Sequence, residues 1–155
     1  MNYILTRRIK IYITIVIIGL AVSGITAFPI ESELALLAGP GNGLMNHWLN
    51  TIYQAVKITN QTYPWLSYGT DWLAFAHIML AVLFIGPLRD QVKNIWVIQF
   101  GMMACVAILP LAFIAGGIRD IPVFWRLIDC SFGIMGIIPL YLSYISIKKL
   151  NPKQL

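Results

Sequence analysis

Charge is scarce in this sequence: Asp, Glu, Lys and Arg make up 11% of its 155 residues, where soluble domains carry about 25%. A solvated globular surface cannot be built from so few ionised groups, which excludes an ordinary soluble domain. Histidine occurs only as His47 and His77, and cysteine only as Cys105 and Cys130. No H-x-x-x-H or CxxC spacing is present, so the common zinc and thiol-redox signatures are absent and no metal site is expected. Nor is there a phosphate-cradling glycine loop, a nucleophile elbow or a lipidation motif; residues 39–43 follow no strand and read as a turn. Without a basic patch interleaved with aromatics, nucleic acid is not an expected partner.

Apolar residues are present in abundance. They form 59% of the chain, and its mean hydropathy is +0.77. Four nearly uncharged runs, at 11–30, 72–88, 94–118 and 122–147, each approach the roughly 20 residues that a helix needs to cross hydrocarbon. The expected fold is therefore all-α: a polytopic membrane protein, with residues 1–155 as a single four-transmembrane-helix bundle and the lipid bilayer as its first partner. Arg7, Arg8 and Lys10 ahead of the first run would also suit a signal peptide cleaved near Ala21 and Ser23. The run exceeds the usual core of about 7–15 residues, so an uncleaved helix is expected.

Basic residues set the expected orientation, because Lys and Arg are retained in cytoplasmic loops. Arg7, Arg8, Lys10, Arg89, Lys93, Lys148, Lys149 and Lys153 fall on one side, against Lys57, Arg119 and Arg126 on the other. Both termini are expected in the cytoplasm of a cell whose composition suggests a bacterial inner membrane. The external segment is then 31–71. Within it Leu44, Met45, Trp48, Leu49, Ile52, Tyr53 and Val56 recur at helical spacing, with polar residues between them. This predicts an amphipathic external helix over about 44–58, between membrane helices 1 and 2. Tyr63, Trp65, Tyr68 and Trp72 follow as an aromatic re-entry, with Trp125 at the matching level of the fourth run; together they read as an interfacial rim. Thr70 is the expected N-cap of the second membrane helix, and Gly19 and Ser23, four residues apart, the expected close-packing face of the first.

Three ionisable residues lie inside apolar runs, where charge is costly and marks a candidate site. Arg126 and Asp129 stand three residues apart on one face of the fourth helix, and His77 falls at a comparable depth in the second. The expected constellation is His77, Arg126 and Asp129, with Asp71 and Glu31 near its mouth. An aspartate there can fix a histidine tautomer, and an arginine can hold an anionic headgroup or a developing negative charge. The same residues can equally fix helix register. No cofactor is predicted: haem would need His47 and His77 as axial ligands, with the amphipathic helix folded over the second membrane helix, and a quinone would use the intramembrane cluster.

In layout, four helices with a long first external loop, the chain resembles the DoxX-like proteins, the claudins and the vitamin K epoxide reductase bundle. The reductase's CxxC and the claudin loop signature are both missing, so no functional residue carries over. Three functions follow from the sequence. The first is a noncatalytic structural, assembly or accessory subunit with a membrane-protein partner or as a homo-oligomer. The second is a membrane enzyme or binder of a lipid, quinone or other amphiphile using His77, Arg126 and Asp129, and the third is an oligomeric small transporter.

Overall fold

The computed structural model describes residues 2–150, which form seven helices and no strand. They are α1 (Asn2–Ala27), α2 (Ile30–Leu37), α3 (Leu44–Thr62), α4 (Pro64–Leu83), α5 (Ile85–Arg89), α6 (Ile95–Ile118) and α7 (Val123–Leu150). Four segments are long and apolar enough to cross a membrane: Tyr3–Ala27, Pro64–Arg89, Ile95–Ile118 and Val123–Leu150. Their outward surfaces carry large apolar side chains such as Ile15, Ile25, Leu111, Phe132, Met135 and Ile138, each more than half exposed. A surface of that kind is unfavourable in water and well matched to lipid.

Prolines set several boundaries, because the ring removes an N–H and crowds the carbonyl four residues back. Pro29 separates α1 from α2, and Pro87 stands four residues after Leu83, the last residue of α4. Pro64 opens α4, where its missing donor is not needed. The second membrane helix thus starts eight residues before the expected Trp72, and Thr70 lies inside it rather than capping it. Pro110 and Pro139 are carried within α6 and α7.

The chain divides into two compact units, Gly19–Leu80 and the chain on either side of it. In the Gly19–Leu80 unit, the end of α1 packs on α4 through Gly24, where a Cβ would come within 2.8 Å of the Ala74 carbonyl and 2.7 Å of Ile78. Gly24 is therefore the close-contact residue. The expected Gly19 and Ser23 face is exposed, and nothing lies within 4 Å of a Cβ at Gly19. In the same unit α2 packs on α3. Asn50 secures the intervening turn by donating to the carbonyls of Gly39, at 3.1 Å, and Asn46, at 2.8 Å. Helix α3 runs four residues past the expected end; Trp48, Leu49, Ile52, Tyr53 and Val56 along it are half-buried and His47, Thr51 and Gln54 exposed, but Leu44 and Met45, expected on the apolar face, are exposed and the polar Asn46, Asn50 and Lys57 are half-buried.

The other unit is dominated by α6 and α7, which lie antiparallel along each other. Contacts that descend α6 from Gly116 through Cys105 to Gly101 ascend α7 from Arg126 through Gly133 to Leu140. At the closest point a Cβ on Gly133 would stand 2.7 Å from the Cys105 carbonyl oxygen, so the two backbones touch where only glycine fits. Ile9, Ile13, Val97, Ile98, Leu140 and Ile147 form the buried core of this unit. Cys105 and Cys130 are both free thiols.

Candidate functional site

Arg126 and Asp129 occupy the first turns of α7, but no ion pair joins them. Among the described residues the single ion pair is Lys93 with Asp90, at 3.7 Å. Side chains on a helix lean toward its N-terminus, and Arg126 follows that direction away from Asp129, its Nε donating to the Ile121 carbonyl at 2.6 Å. Its aliphatic stem lies over Gly116, where a Cβ would come within 3.1 Å of the arginine Cδ. The segment beneath is a Schellman-type stop of α6. Ile121 N–H donates to the Gly116 carbonyl at 2.9 Å and Asp120 N–H to Gly117 at 3.3 Å. Asp120 itself takes the left-handed conformation, with φ of 53°. Arg126 is thus a clasp across the α6–α7 turn.

Asp129 lines a groove of about 310 Å³ within this unit, together with Ile108, Leu111, Ala112, Ala115, Gly116, Arg119 and Ile121. Its carboxylate is half-buried and makes no ion pair among the described residues. Trp125 stacks edge-on with Phe124, ring centroids 6.5 Å apart.

Glu31, Asp71 and His77 all belong to the Gly19–Leu80 unit. Asn60 on α3 donates from Nδ2 to Glu31 Oε2 at 2.5 Å, and Ser67 Oγ on α4 donates to Asn60 Oδ1. This chain of hydrogen bonds links α2, α3 and α4 through one amide. Asp71, one turn past Ser67 on the same face, is half-buried. His77 Nδ1 lies 2.8 Å from the Leu73 carbonyl. A carbonyl can only accept, so Nδ1 is the donor in this contact. The aromatic rim residues pack in edge-on pairs: Tyr63, just before α4, with Trp65 at 5.3 Å, and along α4 Tyr68 with Trp72 at 6.0 Å and Trp72 with Phe75 at 6.1 Å.

The protein therefore brings Glu31 to Asn60 and Ser67, holds Arg126 on the turn, and leaves Asp129 in a groove. His47 is exposed on α3, and among the described residues no three His, Cys, Asp or Glu side chains gather as a metal site. Asn60 and Ser67 were missed in the sequence. Asn60 continues the half-buried register of Ile52 and Val56, and an amide at that spacing is the signal in the sequence by which it can be found. No protein-family model, curated protein or solved structure matches this chain.

Proposed function

We propose that this chain is a noncatalytic subunit of a membrane assembly, with a structural, assembly or accessory role. One observation carries the reading: apart from Asp71 and Asp129, the candidate polar side chains are engaged in hydrogen bonds within the protein itself. Arg126 clasps a turn, Asn60 connects Glu31 to Ser67, and His77 is bonded along its own helix. Of these, Arg126 is the group most costly to keep in hydrocarbon, and it is retained where it fixes the α6–α7 turn. On this reading both termini are cytoplasmic, the membrane is a bacterial inner membrane, and α3 is an amphipathic helix on the outer surface. The partner is a second membrane protein or another copy of the chain.

Purification at native abundance in a mild detergent, with quantitative mass spectrometry, tests the proposal. A fixed stoichiometry with one membrane partner, or a dimer, is expected; full recovery as a lone monomer contradicts it. Asp129 favours a second reading, the binder of an amphiphile, because its carboxylate faces a largely apolar groove without an ion-pair partner among the described residues.

A further inference from the structure

We propose that the exposed face of the first turns of α1 binds an anionic phospholipid, with Arg7 and Lys10 holding the phosphate and Ile11, Ile15 and Ile18 lying along an acyl chain. Helix α1 turns Ile9 and Ile13 into the core of its unit, where both are fully buried. On its outward side Tyr3, Arg7, Lys10, Ile11, Thr14 and Ile15 line one groove, and all six are exposed. Ile18, exposed as well, continues that side, and every one of these residues lies in a single unit. Among the described residues the groove holds two cations and no acid, and neither cation is ion-paired. Elsewhere Lys93 is paired with Asp90, and Lys148 lies over the Tyr144 ring at 4.9 Å from its centroid.

Read inward along the helix, the residues follow the order of a phospholipid. Arg7 and Lys10 stand three apart on one face. Helical side chains lean toward the N-terminus, so both cations reach back to the membrane boundary and away from the isoleucines. Arginine and lysine both suit phosphate oxygens there. Thr14 stands one turn deeper, about 6 Å along the axis from Lys10, at the level of the ester carbonyls to which its hydroxyl can donate. Ile15 and Ile18 lie deeper still, beside the chains. Charge also selects the occupant. A zwitterionic headgroup would bring its ammonium to two cations with no carboxylate to receive it. A second copy related by a two-fold axis along the membrane normal would set its own Arg7 and Lys10 at the same level, like charge against like. A free phosphate would leave the isoleucines without a use, whereas an acylated one engages both parts of the face.

Native mass spectrometry of the delipidated protein in a neutral detergent at low ionic strength provides the test, with phosphatidylglycerol and phosphatidylcholine of identical chains as probes. The wild-type protein should retain the glycerol lipid about tenfold more tightly, since each basic residue at a membrane surface contributes about fivefold toward an anionic lipid. The double variant Arg7→Gln with Lys10→Gln should bring that preference to near unity. Lys148→Gln with Lys149→Gln removes the same charge from the end of α7 and should leave the preference in place. Equal retention of the two lipids by the wild type overturns the proposal without relying on any variant folding. So does an equal loss of preference in the two double variants at unchanged helicity, which would make it a matter of net charge. Displacement of the bound lipid by an equal concentration of glycerophosphoglycerol, its deacylated headgroup, would overturn it in favour of a soluble phosphate. Displacement by a Leu/Ala transmembrane peptide ending in Glu would overturn it in favour of a partner helix.

Discussion

At the scale of single residues, Asp120 and Arg126 bear most directly on how α6 gives way to α7. A left-handed backbone suits glycine, and Asp120 adopts it at a cost on the order of 1 kcal/mol. Asp120→Gly is expected to raise thermal stability in detergent by about 0.5–1 kcal/mol, and Asp120→Val to lower it by more than that. A loss on glycine substitution would assign the turn's stability to the aspartate side chain. Arg126→Ala removes a charged donor from the Ile121 carbonyl and should cost about 1.5–3 kcal/mol by the same measurement. The position of Arg126 inside an apolar run was legible in the sequence. Its direction was not, because Asp129 three residues on and the turn carbonyl behind it are both within reach, and only the backward lean of helical side chains favours the turn.

Among elements, α6 and α7 meet through glycine, and the contact can be broken without touching any polar group. Gly133→Leu drives a side chain into the Cys105 carbonyl and is expected to destabilise the protein by about 1–3 kcal/mol, read as a lower melting temperature. Gly19→Ala, facing open space, should be neutral or stabilising by up to about 1 kcal/mol. Equal effects from the two would mean that α6 and α7 do not touch at Gly133. Asn60→Leu should unfasten Glu31 and Ser67 together, and detergent-resistant protease protection of the 39–43 turn should fall with it. The four long helices were legible because apolar runs of that length have few other uses. The break at 39–43 was legible from its glycines and proline. The start of α4 was misjudged because Tyr63, Trp65 and Tyr68 were read as a rim between elements, whereas Pro64 is suited to open a helix and the aromatics stack along it. Asn60 and Glu31 are 29 residues apart, and no local pattern brings such a pair together.

For the whole molecule, the account depends on four crossings of a membrane. Composition and the exposed apolar faces of the four long helices point the same way. Cysteine-scanning accessibility in intact cells, with Cys105 and Cys130 replaced by alanine, tests this most directly. Single cysteines at Arg8, Lys93 and Lys149 should react with an impermeant thiol reagent only after the membrane is opened, and cysteines at Gly41 and Asp120 should react from outside. Labelling of Gly41 and Lys149 from the same side, or of Asp120 and Lys93 from the same side, would contradict four crossings.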